Sequence, residues 1–102
     1  MAFPLIISPE VLLKLSDKHG VSKQEVEQCF LNRGSNKYVL DKRKKHETDR
    51  DTWWFIGNTD RGRNRLVAFV IRESEMYLRT AYDADEKTIE IYQRKCEAQK
   101  WI

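Results

Sequence analysis

The 102-residue chain reads as an α+β domain, with two N-terminal helices and a C-terminal helix packed on an antiparallel sheet of about four strands. Three observations lead there. Between Trp53 and Tyr82, three β-rich runs alternate with two polar, turn-forming segments, the pattern of a meander. The middle run, Leu66 to Ile71, is apolar on both of its faces, so it needs cover on both sides or a central place in the sheet. Helical patterns with start and stop signals lie on either side of the meander. At this length residues 1–102 form one domain around one core.

In chain order, Phe3 to Ile7 is a short apolar run containing a proline, either an edge strand or an arm lying on the core. Ser8-Pro9-Glu10 starts a helix, with serine as N-cap, proline in the first turn and an acid beside it. It turns Val11, Leu12 and Leu15 inward and stops at His19-Gly20, where glycine supplies a left-handed cap. Ser22 opens the second helix in a capping box with Glu25, and Val21 and Val26 are spaced for a hydrophobic staple. Val26, Cys29 and Phe30 form its apolar stripe, and residues 32–36 end it. Lys37 to Leu40 is a short strand. Asp41 to Asp51 carries charges of both signs, His46 and no apolar side chain, so it is a solvated, mobile loop. After the meander, Asp83 is the expected N-cap of the last helix with Glu86 as its box partner. Ile89, Tyr92 and Cys96 share that helix's inner face, and Trp101-Ile102 is an apolar tail.

Net charge is +3, which by itself is poor evidence for nucleic acid. Its distribution says more. Lysines and arginines crowd between Lys42 and Arg65, and acids dominate Glu73 to Glu90, so an electrical dipole is expected. Cys29 and Cys96 lie in helical patterns and read as separate thiols in a reducing compartment. The N-terminal run has no basic start and is too short to be a signal peptide or a membrane span, so a cytoplasmic protein is expected.

No nucleotide-binding glycine loop, metal-ligand spacing or serine-nucleophile elbow occurs, so neither a cofactor nor a metal is expected. What remains is a set of cations, two histidines and several aromatic rings. Arg61, Arg63 and Arg65 surround Gly62 in the first turn of the meander. They are suited either to bidentate contact with phosphate or to a solvated hairpin tip. Arg79 lies inside an otherwise uncharged β-run and either snorkels at the sheet edge or lines a cleft. His46 is a proton-transfer candidate by residue type and loop position, whereas His19 beside Gly20 reads as a helix-end cation. Of Trp53 and Trp54, alternation turns one to the core and the other outward, where it can stack on a base.

Lys18-His19-Gly20-Val21-Ser22 followed by Glu25-Val26 and Phe30 resembles the first helix turn of BrnT-type toxins. Trp54-Phe55-Ile56-Gly57 followed by Arg61-Gly62-Arg63 resembles that family's hairpin, and Tyr77-Leu78-Arg79-Thr80-Ala81 resembles its last strand. The likeness covers roughly residues 10–93, and its weight lies in the order and spacing of short motifs. It implies a RelE-like fold, metal-independent RNA cleavage and an antitoxin-like protein partner of a bacterial toxin-antitoxin pair. Arg63 carries over from the Gly-Arg dipeptide and Lys18 from the first motif. Where the family pattern continues Ser-Ala-Arg, this chain has Thr80-Ala81-Tyr82, and a phenol lacks the fixed charge of a guanidinium.

Two functions follow as expectations. The first is a toxin-like ribonuclease, with Arg63 and Arg79 clamping phosphate and His46 or Tyr82 moving protons. Lys18, Arg61, Arg65, Trp53 and Trp54 would then bind the RNA. The second is a non-catalytic module on the same scaffold, binding protein or nucleic acid. Convergence of these residues on one concave site separates the two. Regular strand alternation sets Arg79 and Tyr82 on opposite faces unless the strand ends or bulges between them.

Overall fold

The run that is apolar on both faces lies in the central strand of a five-stranded sheet, covered by helices on both sides. The computed structural model describes residues 5–33, 37–40 and 52–98. Its strands are β1 (Leu5–Ile6), β2 (Val39–Leu40), β3 (Thr52–Asn58), β4 (Asn64–Arg72) and β5 (Glu75–Asp83), in the order β1-β5-β4-β3-β2. The helices are α1 (Pro9–Lys14), continued by one π-helical turn (Leu15–His19), then α2 (Lys23–Leu31) and α3 (Glu86–Ala98). The α+β class and the meander are as expected. The sheet, however, has five strands rather than four and is mixed. β1 pairs in parallel with β5 (Leu5 opposite Met76, Ile6 opposite Tyr77) and covers part of an edge that would otherwise be open.

Local signals set the helix ends. Ser8 Oγ accepts from the Val11 amide, and Ser22 and Glu25 complete a reciprocal capping box. Gly20 has φ +61°, as a left-handed cap requires. One inward assignment fails: Leu12 is exposed, while Leu15 is fully buried. The change of pitch after Lys14 alters which residues of this segment face the sheet. The N-cap of α3 also differs from expectation. Asp85, not Asp83, caps it: the Thr88 amide donates to Asp85 Oδ1 at 2.8 Å. The Thr88 bonds also hold the Asp85 carboxyl below its usual range. β5 instead runs on to Asp83, which pairs with Arg65 across the ladder.

Strand register assigns the two faces. Phe55 and Val67 are paired, and Phe69 lies two residues along from Val67, so all three share one face. There Phe30 of α2 meets Phe55 at 4.8 Å and Phe69 at 5.6 Å between ring centroids, and Tyr38 packs on both. On the other face Trp54, paired with Ala68, meets Tyr92 of α3 at 5.4 Å. The Tyr92 hydroxyl donates to the Lys37 carbonyl, and burial drives its ionisation to higher pH. Ile89 and Cys96 pack beside it as the helical spacing indicates. α2 comes so close to β3 that a Cβ on Gly57 would lie 2.8 Å from Cys29 Cβ and 2.8 Å from the Cys29 carbonyl oxygen.

Of the cations expected at one pole of the charge dipole, Lys42, Arg43, Lys44, Lys45 and Arg50 lie outside the described residues. Successive turns of a meander lie at opposite ends of the sheet. Glu73 and Glu75 therefore sit far from the arginine turn, whereas Asp83, Asp85 and Glu86 come to the same end as it. The loop 41–51 and the tail 99–102 lie outside the described residues. Among the described residues, no helix is long and apolar enough to cross a membrane.

Two stability effects follow. Gly57→Ala is expected to lower unfolding free energy by about 1–3 kcal/mol, because the Cys29 backbone must move to admit the methyl group. Urea unfolding of the two proteins measures this, and unchanged stability would show that α2 does not sit as close as described. The second effect concerns pH. Burial pushes the Cys29 thiol from 9.0 up to about 11. The unfolded chain therefore releases this proton before the folded one, and stability falls as pH rises across that window. Unfolding curves on both sides of the window should show a steeper decline for the parent than for Cys29→Ala.

Candidate functional site

Side chains with functional chemistry gather at one end of the sheet, around the β3–β4 turn and the end of β5. The β3–β4 turn is a tight five-residue loop in which Thr59 and Arg63 bond backbone to backbone at 2.9 Å. Gly62 takes φ +82°, which a residue with a Cβ rarely adopts. α2 anchors this turn: Gln28 accepts from the Asp60 amide, and Asn32 donates to the Asn58 carbonyl and the Asp60 carboxylate. Arg61 and Arg63 project from the anchored turn and are exposed.

Arg65 is not part of a solvated tip. It is 2% exposed, and its guanidinium reaches Asp83 on β5 and Glu25 on α2, the latter at 3.5 Å. It is a buried structural cation rather than a free phosphate ligand. Two acids near one buried guanidinium are what such a charge requires, because an unpaired one would carry a large desolvation cost.

Beside Asp83 an open cleft of about 480 Å³ is lined by Lys18, His19, Tyr82 and Asp83. The rings of His19 and Tyr82 are 5.6 Å apart and tilted by 46°. Lys18 and His19 ride on the π-helical turn, a form of helix that often accompanies functional positions. The opposite wall comes from β5. There Thr80 pairs with Ala68 while Leu78 pairs with Phe69, which leaves Arg79 as an extra residue in a bulge. Leu78 and Ala81, three apart, both turn into the core, at 3% and 0% exposure. Thr80 and Tyr82 lie opposite Ala68 and Leu66 on the other face, where Tyr82 packs partly buried against the core, and Arg79 is exposed. The bulge interrupts the alternation that would set Arg79 and Tyr82 on opposite faces.

Of the residues singled out from sequence, Lys18 and Tyr82 meet in the cleft, and Arg79 lies three residues from Tyr82 along the strand. Arg61 and Arg63 stand at the same end of the sheet, since Asp83 opposes Arg65 and the turn begins just beyond Asn64. Neither tryptophan is an open platform. Trp54 is buried against Tyr92, and Trp53 is half-buried against the core on the other face, because both faces are covered. His46 lies outside the described residues. Sequence reasoning assigned His19 and Asp83 to helix ends and so missed both as cleft residues. The signal for His19 was its place beside Lys18 in the first motif. For Asp83 no local signal existed.

Among the described residues, no group of three or more His, Cys, Asp or Glu side chains is placed to hold a metal ion. The two cysteines are free thiols. No protein-family model matches the chain, and no curated protein matches it.

The Arg65 cluster makes a sharp prediction. Removing both acids in Glu25→Gln/Asp83→Asn strips a buried guanidinium of its countercharges and should cost about 3–5 kcal/mol. Arg65→Met should cost less, because the acids it leaves behind reach solvent. Urea unfolding ranks the two. The opposite ranking would mean that Arg65 stabilises the fold by packing rather than by charge.

Proposed function

We propose that the chain is a toxin-like RNA-binding protein and that its cleft beside β5 cleaves RNA without a metal ion. The observation carrying this reading is the convergence of Lys18, His19 and Tyr82 in one open cleft, with Arg79 exposed at a bulge three residues along the strand from Tyr82. Attack of a ribose 2′-hydroxyl on the adjacent phosphorus needs a proton acceptor, a cation for the phosphorane and a proton donor for the departing 5′-oxygen. The His19 imidazole takes the 2′-hydroxyl proton. Lys18 and Arg79 offset the charge on the phosphorane oxygens. Tyr82 gives its hydroxyl proton to the 5′-oxygen as that P–O bond breaks, leaving a 2′,3′-cyclic phosphate. Arg61 and Arg63, exposed at the same end, hold the neighbouring phosphates.

The order of motifs that resembles BrnT-type toxins supports the same reading and adds an antitoxin-like protein as partner. A second reading is a non-catalytic nucleic-acid-binding module. Tyr82 favours it, standing where the family pattern has an arginine.

Incubation of purified protein with mixed RNA and a chelator tests both. The parent is expected to leave cyclic-phosphate ends. His19→Gln and Tyr82→Phe should each slow cleavage by about 100-fold or more while RNA is still bound. Arg63→Ala should weaken binding and flatten its salt dependence. Binding without cleavage selects the module, and no binding at low salt overturns both readings.

A further inference from the structure

An acid has no evident place in a phosphate-binding cleft, yet Asp83 forms part of this one. Its carboxylate would repel a phosphate, so a nucleic acid in the cleft must present something other than backbone to it. Three features define what that is. Asp83 Oδ1 faces the Arg65 guanidinium, so the side chain is held in place before any ligand arrives. The side chain is nevertheless 73% exposed, which leaves acceptor sites directed to solvent. The backbone on either side is fixed, since Asp83 pairs with Arg65 and the Ala84 amide donates to the Asn64 carbonyl. Next to this rigid acceptor pair stand the rings of His19 and Tyr82, against which a base can stack.

Among the four RNA bases, guanine alone offers two adjacent donors, N1–H and the 2-amino group, on its Watson–Crick edge. An ionised carboxylate has two oxygens at matching separation and no donor of its own. Adenine and cytosine each put a ring acceptor beside their amino group, and uracil puts a carbonyl on each side of its N–H. Each of these would bring an acceptor up against the carboxylate. We propose that Asp83, pre-set by Arg65, is a base-reading residue that selects guanine in the cleft. This inference rests on the RNA reading above and adds to it the identity of the base. Asp83 determines specificity here and takes no part in proton transfer.

The test uses uridine-rich oligoribonucleotides carrying a single guanosine, inosine, adenosine or cytidine, with binding followed by fluorescence anisotropy. The parent protein should hold the guanosine oligomer about tenfold more tightly than the adenosine or cytidine one, as expected for a two-bond base contact. Inosine, which keeps N1–H and lacks the 2-amino group, should fall between. Asp83→Asn presents one acceptor and one donor, which no longer match the two guanine donors, and should abolish the preference for guanosine. The inosine series needs no variant, so it decides the matter even if Asp83→Asn fails to fold. Equal affinity for all four oligomers, or no difference between guanosine and inosine, overturns base reading by Asp83 and leaves the RNA reading standing. Failure to bind any of them overturns both.

Discussion

The structure depends on the burial of β4 on both of its faces. From Leu66 to Ile71 that strand offers no polar side chain, and Val67 and Phe69 are fully buried. A sheet with one solvated face would leave half of these residues in water, at roughly 1.5–3 kcal/mol for each large side chain. The chain avoids this by placing α2 over one face and α3 over the other. Each helix brings an aromatic ring for the purpose, Phe30 for the first and Tyr92 for the second. A chain of this length has little helix to spare after covering both faces. The cations and cleft residues collect at one end of the sheet, around the β3–β4 turn and the end of β5.

Arg65 marks the boundary between these regions. It is the last inward-facing position of β4 before the turn, too deep for solvent to balance a cation. Among the described residues its Nε has no hydrogen-bond partner. A buried ion pair is poor evidence for net stability. What this one supplies is placement: Glu25 ties the first turn of α2 to β4, and Asp83 ties the end of β5 to the same guanidinium. The capping box uses Glu25 as well, so one carboxylate both ends a helix correctly and neutralises a buried charge. The arrangement binds three elements at the rim of the cleft.

Sequence patterns disclosed those parts of this fold whose causes are local. Ser8, Ser22 with Glu25, and Gly20 act within a few residues of themselves, and each does what its position implies. Two-sided burial of β4 was readable because it is a property of one continuous run. Asp83 was misplaced for the converse reason. Asp83 and Asp85 both suit the start of α3, and the choice is made by Arg65, a distant residue across the ladder. The parallel pairing of β1 with β5 joins residues about seventy positions apart and leaves no trace in either segment. An antiparallel meander returns alternate segments to the same end, which brings Asp83 to the arginine turn although the two are distant in sequence.

The candidate site was the least legible part, and its construction explains why. One wall is a π-helical turn carrying Lys18 and His19, and the other is a strand with a bulge at Arg79. Reasoning from sequence assumes periods of 3.6 for helices and 2 for strands, and both walls break their period at the positions that matter. Each irregularity re-aims a side chain. Without the bulge, Arg79 and Tyr82 would lie on opposite faces. On an unbroken α-helix, the residues ahead of Gly20 would meet the edge of β5 at different angles. Both irregularities lie beside the cleft, one supplying Lys18 and His19 to it and the other standing three residues before Tyr82, which is why neither helical nor strand periodicity disclosed it.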